Sequence, residues 1–271
     1  MGKEKENMRF AVCGMGFIYD RHVQAIKHVG GKVVLTCDID PEKGADFTDW
    51  MVMFNSPEFE GVDVVVICAP NYLHGVMARE ARMRNKRVIC EKPLCIDTLN
   101  GLNQVYSVLQ LRHHPALQNL TKGNIEVDAK MFRDDVYWDS WKGDDAKSGG
   151  ILYNLGVHYL DIMIFLLGIP TGVEYSFISK KRAIGIVRFG NHVGKFNIQI
   201  VDSREEQGRT LTIRGKKINL SNQENLSYED LHKRVYEDFM SDRGVGVRRA
   251  SHALNLIRKL KACNIKTMKQ G

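Results

Sequence analysis

Short apolar segments alternate with amphipathic ones in the first part of the chain, and this alternation restricts the fold more than any other feature. Val62–Ile67 is a nearly continuous β-branched run, which is typical of a strand buried on both faces. Other predicted strands begin at Met8, Lys32 and Val88, and a last one covers Val105–Leu111. Strands that alternate with helices favour a parallel, doubly wound sheet.

The pattern changes near Pro115, where we place a domain boundary. Over Ile125–Met131 apolar residues alternate with charged ones, which is the period of a strand with one face exposed to water. More strand-like segments follow between Val173 and Arg214, and helices are predicted over Tyr228–Met240 and Val247–Ala262.

These two patterns define the predicted fold class, which is α/β. Residues 1–114 are expected to form a Rossmann domain with a doubly wound parallel sheet. Residues 115–271 are expected to form an α+β domain with an open-faced, mostly antiparallel sheet.

Composition and charge argue against several classes of protein. The net charge of +7 is spread along the chain, and no basic stripe is interleaved with aromatic residues, so we expect no nucleic-acid partner. No apolar run approaches the roughly 20 residues needed to span a bilayer, and we expect no membrane partner. The first residues lack the apolar core of a signal peptide. The 6 cysteines form no C-x-x-C pair, so a cytoplasmic protein without a metal site is expected.

A glycine turn between the first predicted strand and helix indicates a dinucleotide site. Four residues form it: Gly14, Gly16, Phe17 and Ile18. Such glycines let a pyrophosphate approach the backbone at a helix N-terminus. Asp38, at the end of the second strand, is placed to bind the ribose hydroxyls and favours NAD over NADP. Tyr19 occupies the third small-residue position, and a plain βα turn is the alternative.

Two more polar segments follow predicted strands, at the carboxyl edge where open α/β sheets bind ligands. The first contains Pro70, Asn71 and His74, and the second contains Glu91, Lys92 and Pro93. Asn71 and His74 could instead cap the next helix. A lysine in a partly desolvated cleft can exchange protons with a substrate hydroxyl, although a loop lysine is usually only solvated.

A third polar set lies in the second domain, after the turn at Gly149 and Gly150. Asn154, His158 and Asp161 are spaced at i, i+4 and i+7, so a regular helix would place them on one face. Histidine is well suited to accepting a proton near neutral pH. A core histidine paired with Asp161 is the alternative.

In their order along the chain, these motifs resemble the glucose–fructose oxidoreductase, inositol dehydrogenase and MocA family. Five further segments are similar to one branch, the UDP-2-acetamido-2-deoxy-D-glucuronate 3-dehydrogenases. They are residues 109–115, 140–144, 154–158, 228–232 and 243–246.

The resemblance implies a function. It implies oxidation by NAD of the C3 hydroxyl of a UDP-linked N-acetylglucosaminuronic acid, in surface-polysaccharide and lipopolysaccharide biosynthesis. Lys92 and His158 would act as catalytic residues. The predicted sugar-binding residues are Gln110, Arg112, Trp141, Lys142 and Asn154. Pro70, Asn71, His74, Glu91 and Lys92 would add to the cofactor site. The resemblance also implies 2-oxoglutarate as a second small-molecule partner and a homo-oligomer, either a dimer or a tetramer.

The chain departs from this family in length. Segments are missing after Asp40, between Asn103 and Tyr106, and after Gly172. Two alternatives therefore stay open, namely another sugar dehydrogenase of the family and a shortened NAD-binding paralogue without turnover.

Overall fold

A computed structural model describes residues 7–97, 101–221 and 227–268 of the chain. The chain divides into two compact units. The first consists of Met1–Gln110 and Glu224–Arg248, and the second of Leu111–Gln223 and Arg249–Gly271.

The first unit contains a five-stranded parallel sheet in the order β2-β1-β3-β4-β5. Its strands are β1 (Arg9–Cys13), β2 (Lys32–Cys37), β3 (Val64–Ile67), β4 (Arg87–Cys90) and β5 (Val105–Ser107). All four residues of β3 are fully buried, because a parallel sheet is covered on both faces. The predicted doubly wound parallel sheet is confirmed.

The second unit contains a six-stranded sheet in the order β11-β10-β6-β9-β8-β7. Its strands are β6 (Ile125–Phe132), β7 (Gly172–Ile178), β8 (Arg182–Phe189), β9 (His192–Val201), β10 (Gly208–Ile213) and β11 (Lys216–Asn219). Within this sheet β6 and β9 pair in parallel and the other neighbours are antiparallel. The predicted mostly antiparallel sheet is confirmed.

The α-helices of the described residues are, in chain order, α1 (Tyr19–His28), α2 (Trp50–Phe54), α3 (Asn71–Met83), α4 (Asp135–Asp139), α5 (Asp145–Ser148), α6 (Val157–Leu167), α7 (Tyr228–Met240) and α8 (Val247–Met268). A π-helical segment, Leu152–Gly156, precedes α6. Short 3₁₀ helices cover Pro41–Lys43, Pro57–Gly61, Gln110–His113 and Pro115–Leu117.

The helix α7 packs in the first unit, whereas a division at residue 115 assigns it to the second. Its residues Val235, Tyr236 and Phe239 belong to one buried cluster with Phe10 and Val12 of β1. An amphipathic stripe shows that a helix is buried on one face, but it does not show against which core.

Several elements differ from the sequence prediction, and three of the differences change an element by more than its first or last turn. The strand predicted over Val105–Leu111 ends at Ser107 and is followed by the 3₁₀ turn at Gln110–His113, because a short buried apolar run does not by itself distinguish a strand from another buried segment. Helix α8 extends beyond Ala262. The strand β11 was not predicted; it follows a tight turn at Arg214 and Gly215, both of which have positive φ.

Within the described residues one stretch, 145–167, has the length and composition of a membrane span, with a mean hydropathy of 1.5 in its most apolar window. In this structure 83% of that window is buried within the protein. The core helix of a globular fold has the same properties, and they are weak grounds for a membrane segment.

Candidate active site

The glycine turn after β1 has the geometry of an anion site. Gly14 has a φ of 99°, and a Cβ built on it would lie 2.7 Å from the carbonyl oxygen of Cys68. At Gly16, by contrast, a Cβ would meet no atom of the described residues within 4 Å. Ile18, the N-cap of α1, makes no side-chain capping bond, and the positive end of the dipole of α1 at this turn favours an anion such as a pyrophosphate. The turn therefore fits NAD.

Asp38 is fixed next to this turn. Its Oδ2 accepts a hydrogen bond of 2.5 Å from the backbone N–H of Met15, and its Oδ1 accepts one of 3.0 Å from Asp40. The following Ile39 is 88% exposed. A carboxylate held here suits two ribose hydroxyls and repels a 2′-phosphate.

Asp38→Ala is expected to weaken NADH binding about 10–100-fold, because a hydrogen bond to a charged group is lost. With Ile39→Arg added, we expect NADPH to bind better than NADH. Fluorescence titration with each cofactor measures both changes. Asp40→Ala is the matched control, since the Asp40 side chain only caps a 3₁₀ turn. Equal losses in the two single alanine variants would contradict the role of Asp38.

His74 connects the loops after β3 and β4. Its Nδ1 lies 2.6 Å from the carbonyl oxygen of Pro93 and its Nε2 lies 2.8 Å from that of Ala69. It bridges two loops rather than capping α3, whose N-cap residue, Pro70, makes no side-chain bond. Burial lowers the pKa of His74. Asn71 is also buried, at the first position of α3.

Glu91 of the Glu-Lys-Pro motif is a buried carboxylate. Its Oε1 lies 3.1 Å from His22 Nε2 and 3.6 Å from His232 Nε2. Its Oε2 accepts a 3.2 Å bond from the backbone N–H of Lys92, which is itself half-buried. Burial raises the pKa of Glu91, but the two histidines outweigh it and hold that pKa well below its usual range. Neither histidine was predicted as a site residue: His22 stands in no recognisable motif, and His232 was included only as the last residue of the branch-like segment 228–232.

The polar helix face of the second unit is not regular. A π-helical segment covers Leu152–Gly156, whereas the sequence prediction assumed a regular α-helix from Asn154 to His158. The Nδ2 of Asn154 donates a 2.8 Å hydrogen bond to the hydroxyl of Tyr137. A Cβ at Gly156 would lie 3.1 Å from Leu152 and from Ile198, so a larger residue does not fit easily. Such π insertions occur frequently at functional sites.

Asp161 forms a buried ion pair with Arg112. Its oxygens accept bonds of 2.7 Å and 2.6 Å from the Nε and Nη2 of Arg112. Burial raises the pKa of Asp161 and Arg112 opposes that change. Arg112, predicted to bind sugar, thus has two of its nitrogens engaged by Asp161, and its guanidinium lies 5.5 Å from the ring of Phe165.

Asp161→Asn is expected to destabilise the protein by about 3–5 kcal/mol, because it leaves a buried guanidinium without its counter-charge. Chemical denaturation measures this. The exposed pair of Lys181 and Asp202 provides the control, and Asp202→Asn should cost less than about 1 kcal/mol. A similar loss of unfolding free energy in the two variants would show that the buried pair stabilises the protein no more than the exposed pair does.

A partly buried group of cations includes Arg133, whose guanidinium lies 5.3 Å from the ring centroid of Tyr137, the hydrogen-bond partner of Asn154. We call Arg133, Lys142 and Arg209 the cation group. Burial lowers the pKa of Lys142 and Arg133 lowers it further, with Asp134 acting in the opposite direction. Burial and Arg209 likewise lower the pKa of Arg133, whereas Tyr137, Tyr159 and Asp134 raise it. Positive charges that destabilise one another in this way would be stabilised by an anion.

Other predicted sugar-binding residues flank this group or lie in the first unit. Lys142 Nζ lies 5.9 Å from the ring centroid of Trp141, which is half-buried. Gln110 is 8% exposed, and its side-chain oxygen has no hydrogen-bond partner within the part of the chain that the structure describes. Tyr137, Arg133 and Arg209 were missed from the sequence.

Comparisons with known proteins cover most of the chain. Residues 8–118 match "Oxidoreductase family, NAD-binding Rossmann fold", and residues 123–253 match "Oxidoreductase family, C-terminal alpha/beta domain". Of the solved structures, the WlbA (WbpB) dehydrogenase from Thermus thermophilus in complex with NAD and UDP-GlcNAcA is 30% identical, with a TM-score of 0.80 over 92% of each chain. Another structure of that enzyme holds NAD and alpha-ketoglutarate, with 30% identity and a TM-score of 0.79 over 91% of this chain and 92% of that one.

Curated relatives are more distant. The 2,7-anhydro-N-acetylneuraminate hydratase of Escherichia coli K12 is 25% identical over 59% of this chain and 50% of its own length. The inositol 2-dehydrogenase of Salmonella typhimurium is 24% identical over 59% of this chain and 54% of its own length. The match therefore spans about half the length of these curated relatives.

Proposed function

This chain belongs to the glucose–fructose oxidoreductase, inositol dehydrogenase and MocA family and has its NAD-binding Rossmann domain, and we propose that it oxidises UDP-linked N-acetylglucosaminuronic acid at C3. The cation group carries the proposal, because its partly buried charges suit an anionic sugar. The similarity of this chain to a Thermus thermophilus dehydrogenase in complex with UDP-GlcNAcA supports the same substrate.

The proposed reaction gives a separate role to each predicted cofactor-binding and catalytic residue. Gly14, Gly16 and Asp38 would hold NAD, which would supply the hydride acceptor. The C3–H bond breaks with its electron pair leaving as hydride, and the C3 hydroxyl loses its proton to His158. Lys92 stabilises the oxyanion that develops at O3. The products are the 3-keto sugar and NADH, and the reverse assignment of Lys92 and His158 is the alternative.

Other parts of the proposal concern partners and setting. We propose that 2-oxoglutarate reoxidises the cofactor, in line with the Thermus thermophilus complex that holds it. We also propose a homo-oligomer that acts in the cytoplasm in surface-polysaccharide biosynthesis. Trp141, Lys142, Asn154 and Gln110 would contact the sugar nucleotide.

The direct test incubates the protein with NAD and UDP-GlcNAcA, with and without 2-oxoglutarate, while nicotinamide absorbance and sugar product are followed together. A 3-keto sugar whose formation 2-oxoglutarate sustains is the expected result. Reduction of NAD by sugars without a nucleotide, but not by UDP-GlcNAcA, would favour a different sugar dehydrogenase. Bound NAD with no reduction by any sugar would favour the paralogue without turnover.

A charge test examines the anionic substrate separately. UDP-GlcNAc lacks the carboxylate and is expected to react less well than UDP-GlcNAcA. Lys142→Met should reduce this preference, whereas Lys180→Met, which removes an exposed lysine over Trp138, should not. An unchanged preference in Lys142→Met would contradict the role of the cation group.

A further inference from the structure

Four buried side chains of the first unit, one of them Glu91 of the Glu-Lys-Pro motif, contact one another, and we call them the Glu91 cluster. They are His22 of α1, Glu91 after β4, and His232 and Tyr236 of α7. His22 Nε2 lies 3.1 Å from Glu91 Oε1, and His22 Nδ1 lies 2.8 Å from the Tyr236 hydroxyl. The His22 and His232 rings meet edge to face at 5.5 Å. The cluster therefore joins three separate segments of the chain.

The donors and acceptors of His22, Tyr236 and Glu91 form one consistent set. An ionised carboxylate only accepts hydrogen bonds, so Nε2 of His22 must carry the proton. The neutral ring then accepts at Nδ1, and the Tyr236 hydroxyl donates to it. Burial lowers the pKa of His22, which agrees with a neutral ring. The second carboxylate oxygen of Glu91 remains for the backbone N–H of Lys92.

A metal ion is the competing interpretation of these groups. The ligand atoms of His22, Glu91 and His232 all lie within 4.8 Å of one another. Structural zinc sites use four protein ligands, however, and the described residues offer three here. The 3.1 Å contact is also an ordinary hydrogen-bond length. A hydrogen-bonded cluster thus accounts for the geometry more simply.

We propose that His22 and His232 are positioning residues that fix Glu91 and, through it, the backbone at Lys92. This rests on the proposed function, in which Lys92 acts on the sugar. Packing fixes the position of α7, because Leu231 and Phe239 are fully buried on either side of His232 and Tyr236. A catalytic side chain displaced by about 1 Å can lose roughly 10²-fold in rate.

The test compares volume-matched variants at two histidines of α1. His22→Met removes the donor to Glu91, and His22→Gln keeps an N–H there. His28→Met is the control, since His28 pairs with Glu237 across the same two helices but at an exposed site, 2.7 Å apart. His232→Met completes the series.

Two measurements are made on each variant. With NAD and UDP-GlcNAcA, His22→Met is expected to lower kcat at least about 10-fold with KM and NADH affinity nearly unchanged. His22→Gln should recover most of the loss. The second measurement follows acetylation of Lys92 by mass spectrometry, with Lys27 as an internal reference. Its rate at Lys92 should change in His22→Met and His232→Met and stay constant in His28→Met.

The outcomes separate this proposal from the proposed function. If the wild type does not oxidise UDP-GlcNAcA, the function fails, while Lys92 acetylation still tests the cluster. Equal acetylation of Lys92 in His22→Met and His28→Met overturns the positioning role, and so does one equivalent of tightly bound metal in the purified protein. Should His22→Met fail to fold, Tyr236→Phe removes only the hydroxyl partner of His22 and is expected to give a smaller change in the same direction.

Discussion

Replacing His158 with alanine is expected to slow hydride transfer from UDP-GlcNAcA by about 10²–10⁴-fold, because the general base for the C3 hydroxyl is lost. NADH should bind with unchanged affinity, since the residues of the glycine turn lie in the first unit. Single-turnover absorbance at the nicotinamide wavelength measures the step. His192→Ala, at the start of β9, is the control and should leave the rate unchanged.

The same variant decides between His158 and Lys92 as the base. If His158 is the base, His158→Ala should lose the acidic limb of the pH–rate profile, and added imidazole should restore part of the rate. Lys92→Met should then slow the reaction but keep that limb. Near-normal hydride transfer in His158→Ala would show that the assignment is wrong.

The second large effect is expected at the glycine turn. Gly14→Ala should destabilise the protein by about 1–3 kcal/mol or more, because alanine does not readily adopt a φ of 99° and its Cβ would lie 2.7 Å from a carbonyl oxygen. NAD binding should be lost with the turn. Denaturant unfolding measures the first change and NADH titration measures the second.

Gly16→Ala provides the matched comparison two residues further on. A Cβ there meets open space within the described structure, so the free energy of unfolding should stay near that of the wild type. NADH should nevertheless bind less tightly, since the methyl group occupies space that the pyrophosphate needs. Equal destabilisation of the two variants would contradict this account of the turn.

Most of the fold could be predicted from local patterns in the sequence. The β-branched run at β3 and the alternation in β6 depend only on neighbouring residues and on which faces are buried, so the class of each sheet was predicted correctly although β11 was not. The glycine turn was recognisable for the same reason, because Gly14 lies directly between a strand and a helix.

Features that depend on distant partners were not predictable. Arg112 and Asp161 form their pair across 49 positions, and His22 meets Tyr236 across 214. Nothing in the residues near either end selects that partner. The π-helical segment before α6 was not predicted either, because the spacing of its polar residues is equally compatible with a regular α-helix.

The packing of α7 in the first unit has a consequence for folding during synthesis. Val235, Tyr236 and Phe239 complete the same apolar cluster as Phe10 and Val12, although more than two hundred residues separate them. During synthesis the ribosome produces Phe10 and Val12 first and α7 more than two hundred residues later. The core of the nucleotide-binding unit therefore cannot be completed until α7 has been synthesised.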